Sequence, residues 1–248
     1  MIKVAACQQP LHEELTESTL QQLNSYSPDF VCLPEHYPLP KDVENIEQAG
    51  ALFEKRRRYL QSVSSRLSTV LIGGTLTELT REGYYNTCYV FEDGKEAGFY
   101  RKVYPTAREQ EAGILRGNEF KMFELRGIRV GVLICADVLF QESFEELSAL
   151  GCEITFVPTA SPLRKGESVK EKYERDRSIF VEGARKLGCP VVKTCGVGTT
   201  FGHPIQGRSL IATPEGIVLR AEPQQEQDAL ILFAELEVQF STKANEEN

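Results

Sequence analysis

The sequence has no excess of basic residues and no long uninterrupted hydrophobic run. Its 248 residues include 28 Lys and Arg against 36 Asp and Glu, which give a formal net charge of -8. A nucleic-acid-binding protein needs a basic surface to neutralise phosphates, so this charge predicts no nucleic-acid partner. The longest apolar stretch, residues 128–140, is interrupted by Arg129 and Asp137. It is too short and too charged to span a bilayer, so no membrane association is predicted.

The sequence also lacks the spacings of metal and cofactor sites. Its seven cysteines are odd in number and scattered, and no two have C-x-x-C spacing, which argues against a zinc site and a disulfide framework. The histidines lack metal-ligand spacing, and residues 196–202 miss the dinucleotide-binding spacing and are predicted to form a loop. We therefore predict no metal and no cofactor. The unpaired cysteines, and a first segment without a signal-peptide pattern, predict a cytoplasmic protein.

Short apolar, β-rich runs alternate with helix-like segments, which predicts an α/β protein. Two turn signals, Asp93-Gly94 and Arg126-Gly127, predict β-hairpins. About a dozen predicted strands indicate one large mixed sheet or two sheets packed face to face, with helices outside. We predict a single domain over residues 1–240 and a polar, frayed tail over residues 241–248. Helices are predicted at residues 13–24, 43–67, 142–150 and 168–187, and a loop at residues 103–118.

Three residues lie where chemistry is expected, at the ends of predicted strands. Cys135 follows a buried strand on a sharp turn into a helix, where backbone N–H groups can stabilise a thiolate or an oxyanion. Glu35 follows another buried strand and is a candidate general base. Lys102 ends a third strand and is a candidate cation for an oxyanion. Taken singly, Cys135 is read equally well as a buried structural cysteine, whereas Glu35 and Lys102 are better read as a surface turn residue and a solvated loop charge.

Together these motifs resemble those of the nitrilase, or carbon–nitrogen hydrolase, superfamily over essentially the whole chain, to about residue 236. The resemblance lies in the order and spacing of three motifs, with 33 residues from Lys102 to Cys135. They are Leu33-Pro34-Glu35, Tyr100-Arg101-Lys102-Val103 and Val130-Gly131-Val132-Leu133-Ile134-Cys135-Ala136-Asp137. Further matches are Arg108-Glu109, Gly117-Asn118, Pro158, Gly207-Arg208-Ser209 and Pro214-Glu215-Gly216.

The resemblance implies a four-layer α-β-β-α sandwich of two mixed sheets covered by helices. It implies that Cys135 is the nucleophile, Glu35 the general base, and Lys102 the oxyanion-stabilising cation, helped by the backbone N–H of Ala136. The family's second glutamate matches Glu109 best, with Glu111 as the alternative. The resemblance also implies a homodimer or a larger assembly.

The chain departs from the family pattern in two places that bear on function. Nitrile-specific members usually carry an aromatic residue and then glutamate after the cysteine, whereas this chain has Ala136-Asp137, which favours amide cleavage. Residues 175–183 lack the Glu-Asn pair typical of the family's long helix, which puts that helix's usual anchoring in doubt. The loop after Pro158, which begins at Thr159, is predicted to line the substrate pocket. Within it, Arg164 is either a carboxylate-binding residue or a surface charge.

The predicted function is therefore a thiol-dependent, cofactor-independent hydrolase. It is expected to cleave the C–N bond of a small linear amide or N-carbamoyl compound through an acyl-cysteine intermediate, releasing ammonia or an amine. The alternatives are a nitrile hydrolase or an acyltransferase that uses the same residues, and a non-catalytic binding protein that keeps the fold. His36 is either a residue that orients Glu35 or a plain loop histidine.

Overall fold

The computed structural model describes residues 1–238. The predicted polar tail, residues 241–248, lies outside them, and the single domain of residues 1–240 stays a prediction. None of the helices within residues 1–238 has the length and apolar character that crossing a membrane requires.

Strands predominate, and helices lie between them along the chain. The strands of the described part are β1 (Ile2–Pro10), β2 (Phe30–Cys32), β3 (Val70–Ile72), β4 (Leu76–Leu79), β5 (Tyr84–Glu92), β6 (Lys95–Arg101), β7 (Ile114–Leu115), β8 (Met122–Leu125), β9 (Ile128–Val132), β10 (Ile154–Thr159), β11 (Val191–Thr200), β12 (His203–Ile205), β13 (Leu210–Thr213), β14 (Gly216–Arg220) and β15 (Leu230–Leu236). The α-helices are α1 (Glu17–Tyr26), α2 (Ile46–Ala51), α3 (Phe53–Leu67), α4 (Ala107–Glu111), α5 (Gln141–Ala149), α6 (Val169–Asp176) and α7 (Glu182–Leu187). A 3-10 helix, Cys135–Leu139, follows β9, and a π-helical turn, Arg177–Val181, joins α6 to α7.

The strands form two mixed sheets. The first has the order β4-β5-β3-β2-β1-β15, with β6 and β7 also paired to β5. The second has the order β8-β9-β10-β11-β13-β14, with β12 paired to the end of β11. A short parallel pairing of β1 with β11, at Gln9↔Gly196 and Pro10↔Val197, joins the two sheets. Both predicted hairpins, β5–β6 and β8–β9, are present.

Apolar side chains fill three layers between and outside the sheets. One buried cluster lies between the sheets, where the rings of Phe30 and Phe156 stack with centroids 5.7 Å apart. A second cluster includes Leu60 of α3 and covers the outer face of the first sheet. A third includes Phe144 of α5 and covers the outer face of the second sheet. The predicted α-β-β-α sandwich is confirmed, and burial of both sheet faces explains the strands' continuous apolar runs.

Strand direction brings four strand ends to the same edge of the molecule. β1 runs parallel to β2 in the first sheet and to β11 in the second, and β9 and β10 run parallel to β11. β6 has the same direction as β3, because each is antiparallel to β5. The segments that follow β2, β6, β9 and β10 therefore leave the sheets on one side, which is where ligands bind in parallel α/β sheets.

Some local predictions are wrong. The predicted loop at residues 103–118 contains α4 and β7, because Thr106 and Glu109 form a capping box that starts a short helix. Residues 196–202 are not a loop throughout, since β11 continues to Thr200. At Gly196 the backbone packs so closely against Leu11 that a β-carbon would lie 2.4 Å from a leucine methyl group. The predicted helix at residues 43–67 is divided near Leu52 into α2 and α3.

The helical run at residues 169–187 is anchored by contacts other than a Glu-Asn pair. Asp176 accepts a hydrogen bond from Arg208 Nη2 at 2.6 Å. Gly183 faces the ring of Phe144, where a β-carbon would lie 2.5 Å from a ring atom. An ion pair and a close helix–helix contact thus hold this helix against the second sheet.

Candidate active site

Cys135 lies on the sharp turn that follows β9. Its φ of 45° is in the left-handed region, which non-glycine residues rarely adopt. Cys135 is partly exposed, whereas the other six cysteines are buried. The strained turn therefore presents one thiol of the seven at an accessible position.

Asp137 holds this turn from within the protein. Its side chain is fully buried, and its Oδ2 accepts hydrogen bonds from the Ile134 N–H and the Tyr100 hydroxyl, both at 2.8 Å. Its Oδ1 accepts a hydrogen bond from the Tyr104 N–H, also at 2.8 Å. One carboxylate thus ties the Cys135 turn to the segment that carries Lys102. Burial raises the pKa of Asp137 to about 6, although these hydrogen bonds oppose the shift.

Lys102 follows β6 and lies between two carboxylates. Its Nζ donates to Glu35 Oε1 at 2.8 Å and to the two oxygens of Glu109 at 2.9 and 2.8 Å. Asn86 Nδ2 donates to Glu35 Oε1 at 2.9 Å and to Glu109 Oε1 at 2.8 Å. An ammonium and an amide therefore hold the two acidic side chains next to each other.

The backbone of Ala160 links Glu35 to Cys135. Its Oε2 accepts a hydrogen bond from the Ala160 N–H at 2.9 Å. The Cys135 thiol donates to the Ala160 carbonyl oxygen, with the sulfur 3.9 Å away. Glu35 is 2% exposed, so its carboxylate is enclosed by these partners.

The charges in the cluster determine which groups carry protons. Burial disfavours the ammonium of Lys102, but Glu35 and Glu109 outweigh this effect and raise its pKa, so it is charged. Burial acts to raise the pKa of Glu109, yet Lys102 lowers it to about 2, so this carboxyl group is ionised at neutral pH. Burial and the charge of Glu35 raise the pKa of Cys135 well above its ordinary value. The resting thiol is therefore protonated and needs a base to become a nucleophile.

The predicted catalytic residues line one cavity of about 480 Å³. The predicted binding residues line the same cavity, Ala136 from the 3-10 helix after β9 and Thr159 from the end of β10. The Thr159 hydroxyl donates to the Val157 carbonyl oxygen at 3.0 Å, so its proton already has an acceptor. Arg164 lines the cavity from the exposed loop after β10.

His36 lies beside the acidic pair. Its Nε2 is 4.0 Å from Glu35 Oε1, and burial lowers its pKa despite the neighbouring carboxylates. The ligand atoms of Glu35, His36 and Glu109 lie within 4.8 Å of one another, near enough to hold a metal ion. The ammonium of Lys102 already lies against both carboxylates and supplies the positive charge that they need.

The structure brings the four predicted catalytic residues together and leaves Glu111, the alternative to Glu109, exposed at the end of α4. Sequence reasoning missed Asn86, which is 1% exposed and bonded to both glutamates. A signal was available, since Asn86 is an isolated amide within the apolar strand β5. Asp137 belongs to the motif that contains Cys135, but the sequence did not reveal its hydrogen bonds to distant segments.

Comparison with known protein sequences shows similarity along nearly the whole chain. A family model described as carbon-nitrogen hydrolase matches residues 3–244. The 2-oxoglutaramate amidase of Bacillus subtilis (strain 168) is 25% identical over 221 residues, which cover 88% of this chain and 82% of that protein. An omega-amidase of Homo sapiens is 26% identical over 212 residues, which cover 82% of this chain and 75% of that protein.

Solved structures show the same architecture. A carbon-nitrogen hydrolase from Helicobacter pylori G27 aligns with a TM-score of 0.76 at 22% identity, covering 94% of this chain and 88% of that chain. An amidase from Nesterenkonia sp. AN1, with acrylamide added at its active-site cysteine, aligns with a TM-score of 0.76 at 18% identity. The alignment covers 96% of this chain and 94% of that chain. At these identities the likeness shows a shared fold.

Proposed function

The chain belongs to the carbon–nitrogen hydrolase family, and from that premise we propose that it is a thiol-dependent amidase. It cleaves the C–N bond of a small linear amide or N-carbamoyl compound through an acyl-cysteine intermediate. One observation carries this proposal. The Lys102 ammonium lies 2.8 Å from both Glu35 and Glu109, in the same cavity that contains the Cys135 thiol.

Acylation begins when Glu35 takes the thiol proton and the sulfur of Cys135 attacks the carbonyl carbon of the amide. The new C–S bond shifts the carbonyl π electrons onto oxygen, and this oxyanion accepts hydrogen bonds from Lys102 and the backbone N–H of Ala136. When the C=O bond re-forms, the C–N bond breaks. The nitrogen takes the proton from Glu35 and leaves as ammonia or an amine.

In the second half of the reaction, water is the nucleophile and hydrolyses the thioester. Glu35 takes a proton from water as the water oxygen attacks the acyl carbon, and the same donors stabilise the second oxyanion. Breaking the C–S bond releases the acid, and the thiolate recovers the proton from Glu35. Glu109 does not exchange protons in this scheme, because its role is to hold Lys102 in place and charged.

The proposal is tested with a panel of amides, N-carbamoyl amino acids and nitriles, with ammonia release as the readout. We expect Cys135→Ala and Glu35→Gln to lose turnover at least 1,000-fold (on the order of 4 kcal/mol of barrier), while Cys189→Ala, in a cysteine outside the cavity, retains it. Intact-mass analysis should detect an acyl adduct on wild type and none on Cys135→Ala. Full activity of Cys135→Ala would refute the mechanism.

The same assays separate the alternative functions. Turnover of nitriles in preference to amides would indicate a nitrile hydrolase, and product formation only with an added amine acceptor would indicate an acyltransferase. Binding of amides without turnover would indicate a non-catalytic protein. We also propose a cytoplasmic location, supported by seven free cysteines, and a homodimer, which light scattering after gel filtration would test.

A further inference from the structure

One wall of the cavity carries more positive than negative charge. The cavity that contains Cys135 is also lined by Arg175 of α6, Lys193 of β11 and Arg208 just before β13. Arg164 lines it from the loop after β10. We call these four basic residues the cationic wall.

Lys193 and Arg208 are almost wholly buried and share one carboxylate. Their side chains are each 4% exposed, and that of Asp176 is 7% exposed. Arg208 Nη2 donates to Asp176 Oδ2 at 2.6 Å, whereas Lys193 Nζ is 3.5 Å from Asp176 Oδ1. Lys193 Nζ also lies 4.9 Å from the centre of the Phe180 ring. Asp176 therefore neutralises mainly Arg208, and the positive charge of Lys193 is only partly neutralised.

A second carboxylate, Glu167, is shared in a similar way. Its Oε2 accepts a hydrogen bond from Arg175 Nη2 at 2.9 Å and lies 3.7 Å from Arg208 Nη1. Arg164 has no ion pair with any residue of the described range 1–238. Three of the four cations thus share two carboxylates, and Arg164 has neither of them. Burial, together with the charges of Arg208 and Arg164, lowers the pKa of Arg175, as expected where positive charges are crowded.

The other acidic residues of the cavity belong to other elements. Glu35 and Glu109 are bonded to Lys102, and Glu44 and Glu47 lie at the start of α2. Buried charge that lacks a partner is unfavourable, so the excess positive charge favours binding of an anion from solution. The guanidinium groups also provide the planar donor geometry that a carboxylate accepts.

We infer that the cationic wall is a binding subsite for a carboxylate carried by the amide substrate, with Lys193 as its central contact. The inference rests on the proposed amidase function and adds a substrate class to it, namely amides that are also carboxylic acids. Binding the carboxylate at this wall fixes one end of the substrate while its amide carbon lies at Cys135. The wall then determines specificity, because an uncharged amide of the same length leaves the cations without a partner.

The test compares the monoamide acids succinamate and glutaramate with their methyl esters, which keep the acyl chain and remove the charge. For wild type we expect kcat/KM to be at least 10-fold higher for an acid than for its ester. Lys193→Met should lower kcat/KM for the acids about 10- to 100-fold, the value of a charged hydrogen bond, and change that of the esters less than 2-fold. Arg164→Gln, at an exposed position where folding is not at risk, should lower the acid values several-fold. Lys165→Met, which lies outside the cavity, is the matched control and should change neither value.

Equal kcat/KM for acid and ester in wild type would overturn the inference, as would an equal loss for both in Lys193→Met. If wild type hydrolyses no amide at all, the proposed function fails, and calorimetric binding of the same compounds then tests the subsite by itself. Tighter binding of the acids that is lost in Lys193→Met would support the subsite. Absent or equal binding of acid and ester would overturn it.

Discussion

Replacing Asp137 by asparagine removes one acceptor at the junction between the Cys135 turn and the Lys102 segment. The amide has nearly the same shape as the carboxylate, but it offers one oxygen and one NH₂ group. In the wild type, Ile134 N–H and the Tyr100 hydroxyl donate to Oδ2, and Tyr104 N–H donates to Oδ1. If the oxygen of the asparagine takes the place of Oδ2, its NH₂ group takes the place of Oδ1 and faces the Tyr104 N–H. Two donors then face each other, and the Tyr104 N–H is left buried without an acceptor.

Two opposing contributions determine how Asp137→Asn changes the free energy of unfolding. The unsatisfied N–H costs about 1–3 kcal/mol. In the wild type, however, burial moves the pKa of Asp137 from 3.8 to about 6, so keeping the carboxylate ionised at pH 7 costs about 3 kcal/mol. Asparagine removes that cost, so the two effects nearly offset each other and the free energy of unfolding at pH 7 should change by less than about 2 kcal/mol. The segment that carries Lys102 still loses its anchor, and kcat should fall about 10- to 100-fold.

The assay is kcat and KM from ammonia release between pH 4.5 and 8.5, with thermal unfolding measured in parallel. A raised carboxyl pKa stabilises the folded state most at low pH, and this contribution is lost as pH rises through about 6. Wild-type kcat should show an acid limb near pH 6, where protonation of Asp137 turns one acceptor into a donor. In Asp137→Asn this limb should be absent. Glu142→Gln, which alters only an exposed partner of the Tyr104 hydroxyl, is the control. Wild-type kcat in Asp137→Asn, with its acid limb retained, would refute the reasoning.

Three other predictions concern the thiol, the backbone beside Glu35 and the acidic pair. Iodoacetamide at neutral pH should label Cys135 alone among the seven cysteines, because the others are buried, and peptide mapping should locate the label on Cys135; equal labelling of a second cysteine would contradict this. Gly74→Ala should lower both the melting temperature and kcat, because its β-carbon would lie 2.0 Å from the Pro34 carbonyl oxygen; Gly127→Ala, at a similar positive φ with open space around it, should cost only about 1 kcal/mol. Because the pKa of Glu109 is lowered from 4.5 to about 2, the stability that it contributes is present above pH 4.5 and lost as pH falls toward 2. Urea unfolding of Glu109→Gln should therefore show lower stability than wild type at pH 7 and a smaller loss between pH 4.5 and 3; equal slopes for both proteins would contradict this assignment.

Local patterns were enough to identify the elements that carry the candidate site. A chemically reactive side chain at the end of a predicted strand is a candidate site residue, and this pattern singled out Glu35, Lys102 and Cys135 as candidates. The two hairpins were also predicted from their turns, where Asp93, Gly94, Arg126 and Gly127 all have positive φ. Such features depend on neighbouring residues, so the amino-acid order is sufficient to determine them.

The partners of these residues were decided by the tertiary structure. Asn86 is 51 residues from Glu35 in the chain, and Ala160 is 125 residues from it, yet both bond the same carboxylate. Their contact depends on the register of β5 and on the pairing of β1 with β11, which brings the second sheet against the first. Hydrophobic periodicity reports which face of a strand is buried, and it carries no information about which distant strand pairs with it or at which residue. The sequence therefore determined the candidate groups and their strand ends, while only the folded sheets decided which groups lie within hydrogen-bonding distance.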